Sequence, residues 1–97
     1  MGTIDIGKEA LAEFATGSGT IGTSPDHLPD HPIRKHVVVR ANGANGNVIM
    51  VGHSQDAVAN GFILSAGQMT PPIYIDDLKK VWVQGGAASQ GYSWIAS

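Results

Sequence analysis

Residues 36–51 read HVVVRANGANGNVIMV. Two β-branched runs, 36–41 and 47–51, flank a segment carrying two Asn-Gly pairs. Val, Ile and Thr are stiff at χ1 and pack well on a pleated surface. Asn-Gly tolerates positive φ and marks turns. Working outward, similar short runs follow at 62–65 (FILS), 73–76 (IYID), 80–84 (KVWVQ) and 91–96 (GYSWIA), separated by Asn60-Gly61 and Gly85-Gly86. Asp76-Asp77-Leu78-Lys79 predicts a brief helical turn capped by an aspartate oxygen. Six short strands divided by turn signals predict an all-β fold, a small antiparallel β-sandwich or jelly-roll-like domain over residues 36–97.

One register of these strands predicts the core: Val37, Val39, Ile49, Val51, Phe62, Leu64, Ile73, Ile75, Val81, Val83, Tyr92 and Trp94. In a half-buried sheet the other register is polar. Here it contains Val38, Met50, Ile63, Tyr74, Trp82 and Ile95. A two-layer sandwich buries only its inner faces, so these residues predict that an outer face is covered by a neighbouring copy, an arm or another protein. Isolated exposed hydrophobes are ordinary, but Tyr and Trp concentrate at interface centres. Met50, Tyr74 and Trp82 are therefore candidate partner-binding residues.

Residues 1–35 have a different character. They hold eight large apolar residues, against 22 in residues 36–97. The spacing of Leu11, Phe14 and Ala15 predicts a short helix over about 6–15. Gly17, Gly19 and Gly22 then interrupt any pattern, and Pro25, Pro29 and Pro32 favour an extended path. Ordering such a stretch costs roughly 1–2 kcal/mol per residue in backbone entropy. The expectation is an extended N-terminal arm, with Ile4, Ile6, Leu11 and Phe14 as an amphipathic anchor on a partner surface.

Composition narrows the function. The 97 residues carry a formal charge of −2, and only 14% are charged, against roughly 25% in an ordinary soluble domain. No basic stripe supplies the counterion-release energy of nucleic-acid binding, so no direct nucleic-acid partner is expected. The absence of cysteine excludes disulfides and thiol chemistry. The apolar runs are too short for a membrane span and the N-terminus lacks a signal-peptide pattern. A soluble chain made in the cytoplasm, without a membrane partner, is the expectation.

Motifs for chemistry fail on context. In DHLPDHPIRKH (26–36), Pro29 and Pro32 prevent the helix that would align His27 and His31 as metal ligands. Gly52-His53-Ser54-Gln55-Asp56 lacks the closing glycine and the α/β framework of a nucleophile elbow. Asp76-Asp77 offers too few oxygens for calcium, and GSGTIG (17–22) lacks the lysine of a phosphate loop. No enzyme activity, cofactor or metal is expected.

The segments NVIMVGHS (47–54), NGFILSAGQ (60–68), IYIDDLKKVWVQG (73–85) and YSWIA (92–96) resemble a small β-domain of tailed-phage structural proteins, which include capsid decoration (cement) proteins and head-fibre domains. The resemblance covers roughly residues 37–96. It implies core roles for Phe62, Leu64, Leu78, Val81 and Val83, and turn roles for Gly61 and Gly67. It also implies a virion protein on the capsid exterior, made in the host cytoplasm, that binds the major capsid protein, commonly as a homotrimer. Pro71-Pro72 departs from the pattern and suggests an edge or a bend; the Gly/Pro-rich arm is particular to this chain. A receptor- or glycan-binding module using aromatics with Asn42, Asn45 and Asn47, and a head–tail or tail accessory subunit, are the alternatives.

Overall fold

The computed structural model describes residues 15–97. Eight strands form there: β1 (Ala15–Ile21), β2 (Asp26–His27), β3 (His36–Ala41), β4 (Ile49–Gly52), β5 (Phe62–Leu64), β6 (Ile73–Tyr74), β7 (Trp82–Gly85) and β8 (Gln90–Ala96). Two single 3₁₀ turns, Val58–Asn60 and Leu78–Lys80, are the helical elements among the described residues. The strands build two four-stranded antiparallel sheets, in the orders β1–β8–β3–β6 and β2–β7–β4–β5. The all-β sandwich expected from the alternation is the observed fold.

Between the sheets lie Val37, Val39 and Ala41 of β3, Ile49 and Val51 of β4, Leu64 of β5, and Val81 and Val83 around β7, all buried. Period-two alternation delivers these side chains to one face. Leu78 is buried as the resemblance implies. Asp77 caps the second 3₁₀ turn, its Oδ1 accepting from Lys79 N–H at 3.0 Å and from His31 N–H at 3.1 Å. Gly67 takes a φ of +83°, a turn conformation that favours glycine.

Three expectations need correction. The first is the boundary at residue 35. Residues 15–35 belong to the sandwich: β1 pairs along its whole length with β8, and β2 pairs with β7. Ile21 and Leu28 are core residues, and Ile33 packs against them. The glycines of β1, read as breakers, make this possible. Gly17 lies opposite Trp94 and Gly19 opposite Tyr92. A Cβ on Gly17 would fall inside the Trp94 indole, and one on Gly19 would stand 2.9 Å from the Tyr92 hydroxyl. The two rings stack at 6.1 Å and occupy the space that side chains of β1 would otherwise fill. The predicted helix over 6–15, with Ile4, Ile6, Leu11 and Phe14, lies outside the described residues except Ala15, which is strand.

The second correction concerns the turns. Asn42-Gly43 and Asn45-Gly46 lie on a connection from one sheet to the other, since β3 and β4 belong to different sheets. None of these residues has positive φ. Gly61 likewise has a negative φ; its need for glycine is the Val51 carbonyl, which occupies the position of a Cβ. The third is Phe62. It pairs with Val51 on the inner register but is 50% exposed, because the sandwich is open between its edge strands β5 and β6. Ile73, Ile75, Tyr92 and Trp94 are partly buried against the core. Pro71-Pro72 precedes β6, which is an edge strand, as proline requires.

Valine normally stabilises a strand where glycine stood. Here Gly17→Val is expected to destabilise by about 1–3 kcal/mol through collision with Trp94, whereas exposed Thr16→Val should stay within about 0.5 kcal/mol of the parent. Urea unfolding of the two variants measures the contrast; equal midpoints would refute the ring-on-glycine packing.

Candidate functional site

The second register of each sheet points to solvent and makes two surfaces on opposite sides of the sandwich. On the β1–β8–β3–β6 sheet, His36 lies opposite Tyr74, and Val38 opposite Ile95. The Tyr74 and His36 rings approach at 5.7 Å between centroids, tilted by 59°. Tyr74 is 79% exposed and Ile95 49%. Arg40, Ser93 and Ser18 lie in the neighbouring cross-strand row and give this surface a polar border. An apolar centre with a polar rim is the anatomy of a protein-binding surface.

On the β2–β7–β4–β5 sheet, His27 lies opposite Trp82, and Met50 lies between Gln84 and Ile63. The His27 ring meets Trp82 edge-on at 5.2 Å. Gly52 is directly opposite Trp82, and the backbone of the first 3₁₀ turn passes over it, with Val58 Cα 2.6 Å from where a Cβ would stand. Trp82 is therefore flanked by its own chain and half-buried, while Ile63 is 60% exposed. The structure thus places Met50 and Trp82 together and Tyr74 on the other side. Ile4, Ile6, Leu11 and Phe14 lie outside the described residues. Ile95 and Ile63 share the outer register with Tyr74 and Met50, so alternation alone marks them as members of these surfaces. Exposed Met69 carries no such signal; its position follows from the bridge to Arg40.

The polar residues considered for a glycan site are bound within the molecule. Asn45 acts as a substitute strand: its Nδ2 donates to Gly91 O at 2.8 Å and its Oδ1 accepts from Gly91 N–H at 2.7 Å. Asn42 Oδ1 accepts from Ala44 N–H, and Asn47 Oδ1 from Val48 N–H. Ser54, of the elbow-like motif, uses its hydroxyl oxygen to accept from Ala57 N–H in a local turn. Among the described residues, no group of three or more His, Cys, Asp or Glu is arranged to hold a metal ion. No helix among them is long and apolar enough to cross a membrane.

The charged groups near β7 are structural and exposed. Lys80 Nζ pairs with Asp76 Oδ1 at 2.8 Å. That hydrogen bond and charge hold the Asp76 carboxyl below its usual range and raise Lys80. The Lys79 amide, then that of His31, likewise hold Asp77 low.

No family model matches the sequence, and no curated protein matches it significantly. Among solved structures, the chain is similar to one described as "Bacillus endospore appendages form a novel family of disulfide-linked pili". The identity is 12%, the match covers 88% of this chain and 85% of that one, and the TM-score is 0.47.

Two outcomes follow. Asn45→Ala removes both hydrogen bonds to Gly91 and is expected to cost about 1–3 kcal/mol in chemical denaturation; a neutral result would show that water replaces the amide. The folded Asp77 carboxyl titrates below its unfolded value, so its contribution is present above about pH 4 and is lost as pH falls through the lowered value. Asp77→Asn keeps an acceptor without the charge, and should flatten the acid-side decline in stability below pH 4.

Proposed function

We propose that this domain is a structural assembly subunit: a tailed-phage capsid decoration protein that binds and stabilises the major capsid protein shell. The observation that carries the reading is the outer surface centred on Tyr74, with Ile95, Val38 and His36 beside it. An exposed aromatic over an aliphatic platform gains free energy when a partner removes it from water, about 25 cal/mol per Å² of apolar area. The Met50–Ile63–Trp82 surface on the opposite side supplies a second contact. One small domain with two such faces can touch two neighbours at once, which is the geometry a bridge between adjacent shell subunits needs. In this reading the copies act as a homotrimer on the capsid exterior, and the protein is made in the host cytoplasm. Catalysis has no part in it.

Asn45 commits both its amide atoms to Gly91, and Asn42 and Asn47 each commit the side-chain oxygen to a local backbone amide, which favours the assembly reading over the receptor-binding one.

The test is binding of purified protein to undecorated phage shells, followed by co-sedimentation. Tyr74→Ser together with Ile95→Ser is expected to weaken binding at least tenfold, the scale of losing an interface anchor. Circular dichroism should show the double variant folded. Unchanged affinity of a folded double variant would refute this surface as the contact. Absence of shell binding by the parent would refute the decoration role.

A further inference from the structure

A sheet edge presents unpaired N–H and C=O groups that another strand can join, and folds blunt such edges with short strands, proline or charge. Three of the four sheet edges among the described residues are blunted in this way. β2 has two residues, follows Pro25 and carries Asp26; β6 has two and follows Pro71-Pro72; β5 has three. β1 is different. It runs for seven residues, ATGSGTI, without a charge, a proline or a bulge in its ladder to β8. Beyond that ladder, no backbone group of residues 15–21 bonds to another described residue.

We propose that β1 is a self-association edge, pairing antiparallel with β1 of a second copy about a twofold axis through Ser18. In that register Gly17 stands opposite Gly19, Thr16 opposite Thr20, and Ala15 opposite Ile21, so the whole strand is used. The outer register is Thr16, Ser18 and Thr20, exposed in the single chain. The symmetry sets Thr against Thr and Ser against Ser. Cross-strand hydroxyl pairs of this kind are favourable, and an uncharged strand meets its copy without repulsion. On the inner register, glycine opposite glycine leaves room for the rings that lie over them. Trp94 and Tyr92 are only partly buried there. At the join, Trp94 of each copy comes beside Tyr92 of the other, and both gain cover.

A foreign strand would supply the backbone hydrogen bonds equally well. The match of hydroxyl to hydroxyl and glycine to glycine is what selects a second copy. A twofold contact is also closed. It consumes both β1 edges, and the continuous sheet it creates ends at each side on β6, behind proline. The product is a dimer and not a filament. Residues of like register face each other across the join, so both Tyr74 surfaces lie on one side of that sheet. The proposal does not rest on the shell role.

The chain has no cysteine, so a single introduced thiol reports on its own symmetry mate. Ser18→Cys places two sulfurs across the twofold axis, within disulfide reach. In Thr16→Cys the two thiols stand four residues out of register, about 13 Å apart. A mixture of Thr16→Cys and Thr20→Cys chains restores the opposition. Oxidation followed on non-reducing gels is expected to form interchain disulfides at least tenfold faster for Ser18→Cys, and for the mixture, than for Thr16→Cys alone. Equal rates overturn the proposal. Sedimentation velocity of the unsubstituted full chain from about 1 μM to about 1 mM is expected to show monomer giving way to dimer. A monomer throughout, or a trimer, overturns it. Ser18→Lys sets like charges face to face and is expected to raise the dimer dissociation constant about fivefold or more, with circular dichroism unchanged. A folded Ser18→Lys chain that dimerises as tightly as the parent overturns the proposal as well.

Discussion

The packing of Trp94 and Tyr92 over Gly17 and Gly19 is the constraint on which the rest of the sandwich depends. β8 lies between β1 and β3, so each ring has a small neighbour on one side and Val39 or Ala41 on the other. The rings stack on each other and on the core. A larger residue in β1 would expel them, and loss of β1 would leave both rings bare. Once β1 is held, the chain after Ile21 is delivered to the second sheet. Gly85 N–H then donates to Gly22 O at 2.8 Å, and Leu28 enters the core. Glycine in a strand normally weakens it through entropy and lost packing. Here the aromatic partner returns the packing from across the ladder.

Connectivity explains the polar interior details. Consecutive strands change sheets at every step except β4 to β5, so most connections cross an end of the sandwich. Such crossings leave backbone groups that no ladder satisfies, and buried groups of this kind need partners. Asparagine and threonine supply them. Asn45 pairs with Gly91 as a strand would. Thr70 exchanges hydrogen bonds with Val39, its hydroxyl accepting from Val39 N–H at 3.0 Å.

The two outer surfaces are separated by the thickness of both sheets, about 10 Å between sheet planes. Tyr74 and the Met50–Trp82 pair therefore face different neighbours in the proposed assembly. Their physical character also differs. Tyr74 stands on an edge strand with the His36 ring against it and is 79% exposed, while Trp82 is flanked by His27 and the turn at Val58. The first surface is the more incomplete of the two, and it has more to gain from a partner.

Alternation alone determined a great deal: the all-β class, the strands from His36 onward, the inward set Val37, Val39, Ile49, Val51, Leu64, Val81 and Val83, and the apolar outer register. These follow from a local rule, the opposite direction of successive side chains on a strand. The Asp77 cap is equally local. Tertiary structure decided the rest. Gly17 and Gly19 become strand residues only because Trp94 and Tyr92, more than 70 residues away in sequence, cover them. Phe62 is wet because two edge strands stand apart, and Asn45 is structural because the β3–β8 ladder ends at Ala41 and Tyr92, one residue short of Gly91. Each of these depends on which distant segments meet, and pairing across long separations leaves no periodic mark on the sequence.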